Sequence, residues 1–168
     1  MTITCNVRPA SFLISRGEIQ AAIEKHTTLI SEVQRGEDLY RTSLGWLDVG
    51  TQKIDELAHV AKHVNQIAEV MIVIGIGGSN RGAVAALEVL KRTTTSPTTL
   101  YFAGDTLSET RLADAMEVLK TKSVVLNVIA KDFNTVEPGI TFRMLRSAMQ
   151  AKYGNAYAQR IIVTGSKG

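Results

Sequence analysis

Residues 70–83 read VMIVIGIGGSNRGA, and the fold turns on them. Five apolar residues, Val70 to Ile74, run unbroken into Gly75, Gly77 and Gly78. A short apolar run closed by glycine reads as a strand covered on both faces, the habit of parallel sheets. Beyond it Ala83, Val84, Leu87 and Leu90 recur with helical spacing. Strand, glycine turn and helix together aim backbone N–H groups at an anion. Glycine also admits a phosphate where a Cβ would collide. The turn is therefore expected to bind an anion, phosphate first. A plain tight β–α connection is the competing reading.

Working outward, the alternation continues. TTLYFA at 98–103 reads as a second strand, and 107–119 as a helix with Leu112, Ala115, Met116 and Leu119 inward. SVVLNVIA at 123–130 is a third strand, and a helix follows from Val136 to about Lys152, ending near Gly154. RIIVT at 160–164 is a fourth strand. Upstream, 18–34 and 52–69 carry helical stripes, Ile19, Ile23 and Ile30 in one and Leu57, Ala61 and Val64 in the other. Between them, residues 40–50 read as a loop with Trp46 and Leu47 buried. The expected class is α/β: a parallel sheet of four to five strands, order 2-1-3-4 and onward, with helices on both faces and two N-terminal helices in front. A helical segment, 1–69, should pack on an α/β domain, 70–168. That domain reads as cut short, because its last strand lacks the helix that normally follows.

Composition excludes several classes. The 168 residues are 45% hydrophobic and 21% charged, which is globular rather than disordered. A net charge of +3 without a basic stripe argues against nucleic acid. Cys5 is the sole cysteine, so no internal disulfide can form. No apolar run approaches a membrane span, and the start MTITCNVRPA lacks a signal-peptide core. A cytoplasmic protein with no membrane or nucleic-acid partner is expected.

Parallel sheets bind ligands beyond the carboxyl ends of their strands, where strand order reverses. Order 2-1-3-4 would make strands one and three neighbours, so the loop GIGGSNRG would face AKDFNTVEP at 130–138. The second loop offers Lys131 as a cation, and Asn134 and Thr135 as polar groups at a helix start. Thr135 is the expected N-cap, with Glu137 in the first turn and Pro138 where no helical N–H is needed. A dinucleotide fingerprint fits less well: Gly75 and Gly77 match, but Asn80 takes the third glycine position. Asp105, which could mimic the ribose-binding acid, lies beyond the usual spacing. His59 and His63 stand four apart on a helix, but no Cys, Asp or Glu completes a metal set, so a solvated face is expected. No metal or other cofactor is expected, and no nucleophilic triad is present.

These residues resemble the glucose-6-phosphate isomerase family. VIGIGGS with Gly82, LGWLD at 44–48, YFAGDTLSETRLAD at 101–114, VLNVIAK at 125–131 and TVEPGITFR at 135–143 are similar to it in order and spacing. The resemblance implies a flavodoxin-like sugar isomerase (SIS) fold, a cytoplasmic homodimer, and interconversion of glucose 6-phosphate and fructose 6-phosphate through a cis-enediol without metal or nucleotide. It places the substrate phosphate on Gly78, Ser79, Lys131, Asn134 and Thr135. It assigns no catalytic residue here, since the family's arginine, glutamate, histidine and lysine lie further along its chains. The chain therefore reads as an N-terminal part of such an enzyme, inactive alone, with a stand-alone sugar-phosphate-binding or assembly module as the alternative. Three positions depart from the family loop: Ala130 and Asp132 replace hydroxyl residues, and Asn134 a threonine. A lost hydroxyl removes a hydrogen bond of about 1–3 kcal/mol to a charged ligand. Arg81 replaces an apolar residue, and an Arg81–Asp132 pair across the two loops is the expected compensation, weighed against two unrelated solvated charges.

Overall fold

Four parallel strands form one sheet in the order β2-β1-β3-β4. They are β1 Val70–Ile74, β2 Thr99–Ala103, β3 Val124–Ile129 and β4 Ile161–Thr164. The helices are α1 Arg16–Arg35, α2 Asp55–Ile67, α3 Arg81–Leu90, α4 Glu109–Thr121 and α5 Val136–Tyr153. This computed structural model describes residues 12–35, 50, 54–90, 95–131 and 134–165. The expectations for Cys5, Trp46, Leu47 and Asp132 lie outside them. Among the described residues no helix is long and apolar enough to cross a membrane.

The order is the one that the alternating pattern predicts, and the register explains its stability. Val70–Ile74 pairs with Thr99–Ala103 on one side and with residues 124–128 on the other. Only a strand flanked on both sides and covered on both faces needs so continuous an apolar sequence. On one face, α4 and α5 cover the sheet. Ala115, Leu119, Leu145 and Met149 are buried there against Ile72, Ile74, Leu126 and Val128. On the other, Val64 of α2 and Ala68 pack on Val125, with Ile67, Met71 and Ile162 alongside.

The chain divides into two compact units, Met1–Lys53 and Ile54–Gly168, so α2 belongs with the sheet. In the first unit, Ser15 and Glu18 form a reciprocal capping box at the start of α1. The Ser15 N–H and hydroxyl both donate to Glu18 Oε2 at 2.8 Å, and the Glu18 N–H returns a bond to Ser15 Oγ at 3.2 Å. This satisfies N–H groups that have no helical partner and holds the Glu18 carboxyl below its usual range, the Ser15 backbone contact first.

The amino ends of the strands are stitched by polar contacts, which leaves the carboxyl ends as the open side. Lys152 donates to the carbonyls of Leu119 at 2.7 Å and Lys122 at 2.6 Å, closing the end of α4. Arg160 donates to the Ile67 carbonyl at 2.9 Å and lies over the Tyr153 ring, whose hydroxyl accepts the Val124 N–H at 2.9 Å. Glu69, just before β1, accepts the Ser123 N–H at 2.9 Å and meets Lys122 at 3.3 Å. The Ser123 backbone contact, followed by Lys122 and the Ser123 hydroxyl, lowers the Glu69 pKa.

A folded pKa below the unfolded one makes this contact fully stabilising above the unfolded carboxyl range, about pH 4–5. The contribution is lost as pH falls through the folded value. Glu69→Gln should therefore narrow the difference in urea midpoint between pH 7 and pH 3. Equal differences for the parent and the variant would refute this role.

Candidate functional site

The site is built on the turn after β1. Gly77–Ser79 is one turn of 3-10 helix, and Gly77 takes φ +58°, a conformation that suits glycine. The Ser79 N–H donates to Ile76 O at 3.1 Å and the Asn80 N–H to Gly77 O at 3.2 Å. The N–H groups of Gly77 and Gly78 meet no protein acceptor among the described residues. A Cβ built on Gly78 would touch nothing within 4 Å, so the space above the turn is open. Donors without partners beneath open space are what an anion requires.

Asn80 fixes this turn, and sequence reasoning missed it. It is 2% exposed, and its Nδ2 donates to the Gly75 carbonyl at 3.0 Å. Its position is the one where the dinucleotide fingerprint requires glycine, so a side-chain bond tightens the turn here instead of a bare backbone. That mismatch was the legible signal.

The second loop leaves β3 beside the first. Ile74 and Val128 are register partners, so both loops start from the same level of adjacent strands. Lys131, Asn134 and Thr135 are all exposed there. Thr135 is the N-cap residue of α5, with φ −70° and ψ 130°, but its hydroxyl makes no capping hydrogen bond. The carbonyl does the local work, accepting the Gly139 N–H at 3.3 Å. The Thr135 hydroxyl therefore stays free of the helix. It lines a cavity of about 340 Å³, together with Val128, Ala130, Phe142, Arg143 and Arg146. Gly78, Ser79, Lys131 and Asn134 do not line this cavity. The two arginines were not picked out from the sequence.

Arg81 pairs with Asp105. Its Nη2 lies 3.5 Å from Asp105 Oδ2, with Arg81 72% exposed and Asp105 20%. The bond joins the turn after β1 to the loop after β2, on the side of β1 away from β3. Asp105 is thus an ion-pair partner of the glycine turn. An ion pair this exposed contributes at most about 1 kcal/mol.

His59 and His63 are exposed and share a separate cavity of about 370 Å³ with Gln159. Among the described residues no group of three or more His, Cys, Asp or Glu could hold a metal.

Parallel order, a glycine turn at the reversal of strand order and helices on both faces define a doubly wound, flavodoxin-like α/β protein. The phosphoglucose isomerase family model matches residues 46–166, and the chain belongs to that family. It is 32% identical to a glucose-6-phosphate isomerase of Exiguobacterium sibiricum, across 99% of this chain and 40% of that protein. It is 37% identical to one of Caldanaerobacter subterraneus subsp. tengcongensis, across 84% of this chain and 35% of that one. The chain thus spans two fifths or less of these curated relatives. The crystal structure of a glucose-6-phosphate isomerase from Chlamydia trachomatis aligns over 67% of this chain and 22% of its own, with TM-score 0.60 and 23% identity. A hypothetical protein of Thermus thermophilus aligns over 88% and 36%, with TM-score 0.64 and 21% identity. At these identities the two structures speak to the fold alone.

Proposed function

We propose that this chain is the sugar-phosphate-binding part of a glucose-6-phosphate isomerase. The phosphate sits between the Gly78–Ser79 turn and Lys131, Asn134 and Thr135. The observation that carries this reading is the adjacency of β1 and β3, with Ile74 opposite Val128, which starts both polar loops side by side. The unpartnered N–H groups of Gly77 and Gly78, the exposed Lys131 and the uncommitted Thr135 hydroxyl support it. The whole enzyme would interconvert glucose 6-phosphate and fructose 6-phosphate through an enediol, in the cytoplasm and as a homodimer. Sedimentation equilibrium reads the oligomer directly.

Isomerisation needs a base within reach of the proton on C1 or C2. Among the described residues no carboxylate or imidazole lines the cavity at Thr135. The 168-residue chain is therefore expected to bind fructose 6-phosphate without turning it over. Calorimetric titration should detect binding, weakened about tenfold in Ser79→Ala by loss of one hydrogen bond to a charged group. A coupled assay should stay at the buffer blank. Turnover that persists through repeated purification would overturn the inactive reading. Unchanged affinity in Ser79→Ala would overturn the assignment of the turn.

A further inference from the structure

We propose that Arg143 and Arg146, with the apolar floor beneath them, form a second anion pocket, for a phosphate monoester with a small apolar body. It adjoins the site proposed above, sharing Thr135, but does not depend on that site's assignment.

The case starts from which cations the protein commits. Lys152 and Arg160 are held by backbone carbonyls, and Lys120, Lys122 and Arg81 meet carboxylates. Arg143 and Arg146 do neither: among the described residues no ion pair or side-chain hydrogen bond engages either guanidinium. They stand three apart on α5, so they project from one helix face. Like charges at that spacing repel by a few tenths of a kcal/mol. A shared anion removes that repulsion. Both line the cavity of about 340 Å³, and among the described residues no carboxylate lines it with them. Its size reaches the lower end of small-molecule sites.

The remaining walls define the ligand. Val128 and Pro138 are buried and Phe142 is half-buried, so the floor is apolar and partly aromatic. A guanidinium is planar, weakly hydrated and forked, and it binds a phosphate with two parallel hydrogen bonds. Thr135 also lines the cavity, and its hydroxyl, not used in capping the helix, is a further donor. Inorganic phosphate would meet the arginines but leave the floor wet. A monoester with an apolar group would use both.

Phenyl phosphate is the probe, titrated calorimetrically into the 168-residue chain at low salt, with inorganic phosphate alongside. Phenyl phosphate should bind more tightly by about threefold or more, the return from covering part of the apolar floor. Arg143→Ala and Arg146→Ala should each weaken it by about tenfold, a charged hydrogen-bonded contact each, and the double variant should lose both contributions. Arg143→Lys, keeping charge without the fork, should fall between. Both side chains are exposed, and circular dichroism checks that the variants stay folded. The losses are read also in the Ser79→Ala background, where the turn after β1 is weakened, and should persist there, which separates this pocket from that turn. Absence of binding to the parent chain, or undiminished binding to the double variant, would overturn the proposal. So would arginine substitutions that cost nothing in the Ser79→Ala background, because the probe would then sit away from the arginines.

Discussion

Gly104→Ala is expected to destabilise the α/β unit by about 3 kcal/mol, combining a left-handed backbone cost with overpacking. Gly104 follows β2 with φ +83°, where an L side chain is strained whatever the space around it. The space is also taken. An added Cβ would lie 2.9 Å from Ile74 Cγ2, 3.2 Å from Pro138 Cα and 3.4 Å from the Gly75 nitrogen. The last two are backbone, one at the root of each candidate phosphate loop. Neither can yield without moving the strand end or the first turn of α5. The residue is thus a spacer that lets β2, β1 and α5 converge behind the site. Urea denaturation of the variant should show a lower midpoint with an unchanged slope, because the native fold is strained rather than expanded. A loss below about 1 kcal/mol would mean that neighbouring backbone shifts freely, contrary to tight core packing.

The fold was legible because its deciding signals are local. Each strand is a short apolar run closed by a glycine or polar turn, and observed strand ends fall within one residue of the pattern. Helix ends were less legible. Residues 107–119 read as helical, yet α4 begins at Glu109, since the Thr106 hydroxyl accepts the Ser108 N–H and holds a turn first. The 3-10 segment Gly154–Arg160 had no periodic signal and was read only as a stop. The turn of the candidate site was visible through its glycines. The side chains that finish it were not, because they act between elements distant in sequence. Arg81 meets Asp105 across 24 positions, a partner on the β2 side that the reading of the two facing loops did not weigh. Pairing across the β2 side depends on where each loop bends, which composition does not encode. Arg143 and Arg146 likewise carry no signal of their own until the fold brings Val128 at the end of β3 and Phe142 into one cavity with them.

Gly75→Ala should act on the turn itself, and Gly82→Ala, seven residues on, provides its control. Gly75 is pinned from both sides: its N–H donates to Ala103 O at 3.1 Å and its carbonyl accepts from Asn80 Nδ2 at 3.0 Å. An added Cβ would lie 2.7 Å from the Ser79 Cβ and 3.1 Å from the Ile129 carbonyl. Real Cβ atoms do not approach within 2.7 Å, so Ser79 must move, and the 3-10 turn with it. The expected stability loss is about 2 kcal/mol, typical of overpacking a rigid site. Fructose 6-phosphate affinity should fall further than in Ser79→Ala, because the backbone donors are displaced together with the hydroxyl. At Gly82 a Cβ meets nothing within 4 Å, and the residue lies in the first turn of α3. Alanine there should be neutral or stabilising by up to about 1 kcal/mol, through helix propensity and a less flexible unfolded chain. The contrast separates crowding from mere loss of glycine. Equal effects at the two positions would show that the close approach of Gly75 to Ser79 does not set the shape of the turn.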